Sequence, residues 1–187
     1  MSGSWGALWP WEFQVLDWLQ GLRGPWLDQV MIFVTSLANH GELWIGLGLL
    51  FLCFSRTKRL GASMLLSIAL GYVTGNLVLK NLFARSRPCW IRQDVWILVP
   101  VPRDYSFPSG HTLVSFEGAV CIWSYDRLWG GAAFVLTALI ACSRMYLFVH
   151  FPTDILGGLV LGIVNGWAGV RLANMAKRQG EIPDKEI

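Results

Sequence analysis

Leu60 to Leu79 is a run of 20 residues without a single charged side chain. A helix rises 1.5 Å per residue, so a run of this length matches the hydrocarbon core of a bilayer, about 30 Å thick. No water is present there to satisfy backbone N–H and C=O groups, so such a segment crosses as a helix. The run is rich in small residues, among them Gly61, Ala62, Ser63, Ala69, Gly71 and Gly75, which let neighbouring helices approach closely. Further apolar runs cover Leu43–Phe54, Thr112–Tyr125, Leu128–Cys142 and Ile155–Val170. Hydrophobic residues make up 54% of the chain and charged residues 14%, and the mean hydropathy is +0.47. The expectation is an all-α, polytopic membrane helix bundle of about six helices, with the five runs as spans. Its 187 residues suit one domain over 1–187.

Charge placement orients the spans. Arg56, Lys58 and Arg59 form a short basic loop after the run ending at Phe54, which marks the cytoplasmic side. Alternation then returns the Asp126-Arg127 turn and the Lys177-Arg178 tail to that side, and brings 80–111 and 144–153 to the opposite face. Trp44, Trp90, Trp96, Trp123, Trp129 and Trp167, six of the eleven tryptophans, lie near run ends or in connections, where indoles favour the headgroup level. The first 40 residues are harder to orient. Trp9 to Leu22 sets Trp11, Val15, Trp18, Leu19 and Leu22 on one side and Gln14 and Asp17 on another, as an interfacial helix does. Trp26 to Ala38 is short for a span; it crosses, re-enters, or joins the preceding helix as one broken span. No basic segment precedes an apolar one at the N-terminus, so a cleaved signal peptide is not expected.

Several functions are disfavoured by composition. The net charge of +3 comes from clusters, without an aromatic and basic stripe, so nucleic acid is not an expected partner. Cys53, Cys89, Cys121 and Cys142 have neither zinc-ligand nor disulfide-framework spacing. No other cluster has metal-ligand spacing, and neither a metal nor a cofactor is expected.

Three polar clusters fall on the face opposite the basic loop: Lys80 with Arg87-Pro88, then Pro108-Ser109-Gly110-His111, then Ser143-Arg144 with His150 and Asp154. Charged groups at span ends are costly unless paired or functional, so this many at one depth share a reason. Ser109 stands where a helix cap belongs, with Gly110 and His111 in the first turn. Their amides and the helix dipole favour an anion.

The pattern Lys80-x6-Arg87-Pro88, Pro108-Ser109-Gly110-His111 and Ser143-Arg144-x5-His150-x3-Asp154 resembles the three-part signature of the type-2 phosphatidic acid phosphatase superfamily. It covers residues 80–154. The small size resembles bacterial membrane-embedded lipid phosphatases of the cell membrane, whose active site faces the extracytoplasmic side. The chemistry also follows from the residue types. Lys80, Arg87 and Arg144, with Ser109 and the amides at Gly110 and His111, can surround the oxygens of a phosphate ester. Asp154 can hold one nitrogen of His150 as a donor and leave the other free to attack phosphorus, giving a phosphohistidine. His111 is then the acid on the leaving oxygen. The expected substrate is a phosphorylated lipid in the bilayer: undecaprenyl diphosphate, phosphatidic acid or phosphatidylglycerol phosphate.

Each residue also has a structural reading. Lys80 can snorkel, Arg144 can pair with Asp154, and His150 can be a satisfied loop histidine. Glu117, inside an apolar run, is expected to pair with Asn76 or Asn165. Arg85, Arg92, Arg103 and Tyr105 are candidates for headgroup contacts or for surface roles. The same signature occurs in soluble vanadium-dependent haloperoxidases, against which the apolar spans argue. The residue pattern is also compatible with a phosphotransferase or sugar-phosphate phosphatase, and with a non-catalytic lipid-binding or transport protein.

Overall fold

The structure, a computed structural model, describes residues 10–180 and the side chains of residues 10–175. Trp9 and the side chains of Lys177 and Arg178 lie outside the described residues. Among them there are helices and no strands: α1 Pro10–Gln20, α2 Pro25–Ser36, α3 Glu42–Leu52, α4 Lys58–Gly71, α5 Lys80–Phe83, α6 Pro88–Ile91, α7 Gly110–Tyr125, α8 Arg127–Tyr146 and α9 Pro152–Gly180. A π-helical segment, Tyr72–Leu79, joins α4 to α5, so the long uncharged run is one continuous helical rod.

Among the described residues, four stretches are long and apolar enough to cross a bilayer: Pro25–Leu52, Lys58–Ile91, Arg127–Tyr146 and Pro152–Met175. The first of these decides among the alternatives for Trp26–Ala38 and corrects one expectation. Trp26–Ala38 does not join the helix before it, because Gly24-Pro25 separates the two. It is continuous with α3 through a break at Asn39–Gly41, where His40 and Gly41 take positive φ values of 50° and 74°. Leu43–Phe54 is therefore the second half of a broken span. At 16 residues α7 is short, and it forms the centre of the bundle, in contact with α3, α4, α8 and α9.

That centre depends on small residues. α9 lays Gly158, Gly162 and Gly166 against α7, and Gly169 against Ser63 and Ser67 of α4. The close approach lets a 16-residue helix carry Leu113, Ala119, Val120 and Cys121 fully inside. Lipid-facing positions stay apolar, among them Leu128, Val135, Val160 and Val164. Trp44 is the exception among the tryptophans expected at the headgroup level. It is buried, donates to Ser115 Oγ at 3.0 Å and stacks its ring over Gly118.

α1 lies against the loop between α8 and α9, with Phe13 edge-on to Phe151 at 5.2 Å and Leu16 buried. Trp11, Trp18 and Leu22 are exposed on its other side, as suits a helix lying in the interface. Its inward face carries a charge that periodicity did not single out: Glu12 is fully buried.

Gly162 gives a test of the packing. A Cβ there would stand 2.7 Å from Leu113 O and 2.7 Å from Phe116 Cβ. Gly162→Ala is expected to destabilise the bundle by about 1–3 kcal/mol, read as a lower thermal unfolding midpoint in detergent.

Candidate active site

The ends of four helical segments and one loop converge at a single end of the bundle. Ala84 stops α5 in the left-handed conformation, φ 44°, and turns the chain so that Arg85 and Arg87 point back into the protein. The loop before α7 ends in a cis Phe107–Pro108 bond and places Ser109 as the residue preceding the helix. Ser109 does not cap α7 with its side chain, in contrast to the usual use of Ser there. Its Oγ accepts from Thr112 Oγ1 at 3.0 Å, and its N–H donates to Asp154 O at 3.1 Å, which locks the start of α7 to the start of α9.

Pro152 opens α9, as the sequence suggested. Asp154, two residues further on, reaches back so that its Oδ2 accepts from Phe151 N at 2.8 Å. This is the N-terminal half of a capping box, in a place where the helix dipole also favours a carboxylate. The same Oδ2 accepts from Ser106 Oγ. His150 Nδ1 lies 3.4 Å from Asp154 Oδ2 and 3.4 Å from Ser106 Oγ.

The other nitrogen of His150 faces a cation. Arg87 Nη1 stands 2.9 Å from Nε2 and also donates to Val149 O at 2.8 Å. A guanidinium has only donors, so Nε2 is the unprotonated nitrogen and the proton sits on Nδ1, towards Asp154 and Ser106. Burial pushes the imidazole well below its ordinary pKa, and the charges of Arg87, Arg144, Lys80 and His111 act in the same direction. His150 is therefore neutral near pH 7, the form that can act as a nucleophile.

Lys80, Arg87 and Arg144 are all buried and lie within electrostatic range of one another. Gly110 completes the group: a Cβ on it would lie 3.8 Å from Lys80 Nζ and 3.5 Å from Asn76 Oδ1. Arg144 donates to Thr35 Oγ1 at 2.7 Å, and its buried Nε has no acceptor among the described residues. No carboxylate among them pairs with it, so the Arg144–Asp154 pair of the structural reading is not what the chain builds. His111 Nε2 is 3.1 Å from Asn39 Oδ1, at the break between α2 and α3, and His111 feels the charges of Arg144, Arg87 and Lys80. All eight expected site residues are thus brought together.

Four further residues enter the site. Asp104 accepts from Lys80 Nζ and, at 2.8 Å, from Arg87 Nη2. Burial raises its carboxyl, but Arg87 and Lys80 outweigh that and hold it below its ordinary value, so it is ionised. A phosphate bound by Lys80 and Arg87 has to compete with it for those donors. Ser106 bridges His150 and Asp154. Arg85 is no headgroup contact: it is 2% exposed, and its Nη1 donates to Asp154 Oδ1 at 2.6 Å. Glu12 accepts from Arg85 Nη2 at 2.7 Å. Arg92 lies outside this group, on Asp17 at 2.7 Å. Glu117 is also outside it, lying against Gly71 and accepting from Asn165 Nδ2 at 3.2 Å, one of its two expected partners.

A membrane bundle that gathers three buried cations, a helix start and a carboxylate-backed neutral histidine is built to handle a phosphoryl group. Residues 60–178 match the PAP2 superfamily model, and the chain belongs to that superfamily. It is similar to the undecaprenyl-diphosphatase of Sulfolobus acidocaldarius, with 34% identity over 137 residues, covering 73% of this chain and 66% of that protein. Among solved structures, Aquifex aeolicus LpxE superposes with a TM-score of 0.77 at 27% identity, covering 87% of this chain and 96% of that one. The PAP2-type phosphatidylglycerolphosphate phosphatase of Bacillus subtilis gives a TM-score of 0.71 at 26% identity, covering 93% and 87%. The chain is a membrane-embedded phosphatase of this superfamily.

Ser106 allows a test that leaves the charges in place. Losing one buried hydrogen bond costs about 1 kcal/mol, so Ser106→Ala is expected to lower kcat about fivefold with KM unchanged, measured as phosphate release from a lipid phosphate.

Proposed function

We propose that the protein hydrolyses a lipid phosphate monoester or diphosphate through a phosphohistidine on His150, without a resident metal. The observation that carries this reading is the orientation of His150: Nε2 is unprotonated and directed at Arg87, while Nδ1 is backed by Asp154. Phosphate oxygens held by Lys80, Arg87, Arg144, Ser109 and the first amides of α7 put phosphorus within reach of Nε2. Attack forms the N–P bond and breaks the bond from phosphorus to the leaving oxygen. Burial and the charges of Arg144, Arg87 and Lys80 push the pKa of His111 down to about 2, so it takes up its proton with the phosphate, whose negative charge offsets those cations, and then gives that proton to the leaving oxygen. Water then cleaves the phosphohistidine, with His111 taking the water's proton and His150 returning to its neutral form.

The candidate substrates are undecaprenyl diphosphate, phosphatidic acid and phosphatidylglycerol phosphate. Two of these agree with the names of similar proteins: an undecaprenyl-diphosphatase and a phosphatidylglycerolphosphate phosphatase. Lipid as the carrier is supported by four apolar helical stretches around the site, and by exposed Leu82, Phe83 and Trp96 on the segments that lead to it. The basic loop at Arg56–Arg59 is at the other end of the bundle, which supports a site facing outward from the cell membrane.

Phosphate release by the purified protein from a panel of phospholipid, polyprenyl diphosphate and sugar phosphate substrates tests the function. Turnover of a lipid substrate, lost in His150→Ala, is the expected result. Sugar phosphates turned over in preference to lipids would move the assignment to soluble esters, and turnover retained by His150→Ala would reject the nucleophile.

The role of His111 is tested separately. His111→Ala is expected to slow a lipid alkoxide leaving group by about 10²–10⁴-fold, and to slow p-nitrophenyl phosphate far less, because nitrophenolate leaves without a proton. Equal losses on both would remove His111 from the acid role.

A further inference from the structure

The carboxylate behind His150 does not stand alone. Asp154 Oδ1 accepts from Arg85 Nη1, and Arg85 Nη2 donates to Glu12 Oε2. Thr153 closes the ring, with its Oγ1 accepting from Arg85 Nη1 at 2.6 Å and donating to Glu12 Oε1. Arg85 is 2% exposed, and Glu12 and Asp154 are 0% exposed. The guanidinium lies over the Phe151 ring at 4.3 Å, which keeps that side dry. A buried guanidinium bonded only to Asp154 would neutralise it and weaken its hold on the imidazole. Glu12 opposes this by placing a second carboxylate on the far side of the guanidinium.

We infer that Glu12, carried on α1 outside the matched residues 60–178, is a positioning residue that acts through Arg85 and Asp154 to sustain the nucleophilicity of His150. The inference rests on His150 being the nucleophile. When Nε2 bonds to phosphorus the ring becomes cationic, and carboxylate charge on the Nδ1 side stabilises that form. Without the charge on Glu12, Arg85 draws the electron density of Asp154 to itself and the attacking step slows. The same change lowers the affinity of His150 for a proton. The charged and titratable groups around His150 are Arg87, Lys80 and Arg144, then His111 on α7 and Asp154 on α9, with Arg85 and Glu12 behind. Of these, Glu12→Gln alters only the last.

The experiment compares Glu12→Gln, Glu12→Asp and His150→Ala with the parent, all purified in detergent, using phosphate release from a lipid phosphate across pH together with thermal unfolding. Glu12→Gln is expected to lower kcat about tenfold at unchanged KM and to move the acidic limb of kcat/KM to lower pH. Glu12→Asp, which keeps the charge, recovers most of the rate. A parent-like kcat and acidic limb in Glu12→Gln overturns the inference. So does a rate loss that tracks a lowered unfolding midpoint with the limb unmoved, because that is what a structural role alone would produce. If Glu12→Gln does not accumulate as folded protein, Glu12→Ala replaces it, removing the same charge with a smaller side chain; the same limb shift supports the inference and an unmoved limb overturns it. His150→Ala separates the two levels: turnover retained there rejects the nucleophile itself, whereas an inactive His150→Ala beside a parent-like Glu12→Gln rejects only the role of Glu12.

Discussion

Mutual repulsion among Lys80, Arg87 and Arg144 is the constraint that the rest of the protein has to meet. Three cations at 7%, 2% and 5% exposure share the dry end of a membrane bundle. Burying a charge costs several kcal/mol unless it is paired. Lys80 and Arg87 are met by Asp104, while among the described residues Arg144 has a hydroxyl and an Nε without an acceptor. The excess positive charge is offset when an anion with several oxygens arrives, and the start of α7 adds amides and a helix dipole to the same place. Affinity for a phosphoryl group thus follows from the arrangement that gathers the cations.

Holding those cations together demands rigid helices at close range. The glycines of α9 bring its backbone onto α7 and α4, and Ser109 N to Asp154 O fixes the vertical register of the two helix starts. A shift of one turn would move Asp154, and His150 with it, about 5.4 Å along the start of α7. The packing of small residues deep in the bundle therefore sets the geometry of the chemistry at its end. The separation between lipid-facing apolar positions and the polar end is what permits both in one chain.

Much of this is legible in the sequence. Uncharged runs announce the spans, and spacing plus alternation places Lys80, Arg87, Ser109, Gly110, His111, Arg144, His150 and Asp154 on one face. Residue type is a strong signal when a charge stands beside an apolar run. The signal fails where several charges crowd one loop. Arg85, Arg87, Arg92 and Arg103 look alike in sequence, yet Arg85 and Arg87 are buried and Arg92 is on the surface with Asp17. The backbone turn at Ala84, with positive φ on a residue that rarely adopts it, separates them, and composition does not encode it. Glu12 is hidden for a related reason. Its helix reads as amphipathic about its tryptophans, and a carboxylate on the protein-facing side has meaning only once Arg85 is known to be inside. The break at Asn39–Gly41 escapes the sequence because nothing in Asn-His-Gly distinguishes a kink from a loop.

The two ends of the His150 ring see opposite fields, and this polarity follows from the layering of the site. Arg87 lies on the Nε2 side, and Lys80 and Arg144 are within electrostatic range of the ring. Asp154, Arg85 and Glu12 lie on the Nδ1 side, with Ser106 between ring and carboxylate. An imidazole in a uniform polar pocket would exchange tautomers and titrate near its ordinary value. Here a donor-only guanidinium at Nε2 and an acceptor at Nδ1 favour one tautomer, and burial first, then the surrounding cations, keeps the ring neutral. The same cations that hold an incoming phosphate therefore add to burial in keeping its attacker unprotonated. Once phosphate neutralises them, their effect on the ring weakens and the carboxylate side dominates, which is the balance required as His150 becomes cationic. Binding the substrate and activating the nucleophile are coupled through one set of charges, with no need for a moving part.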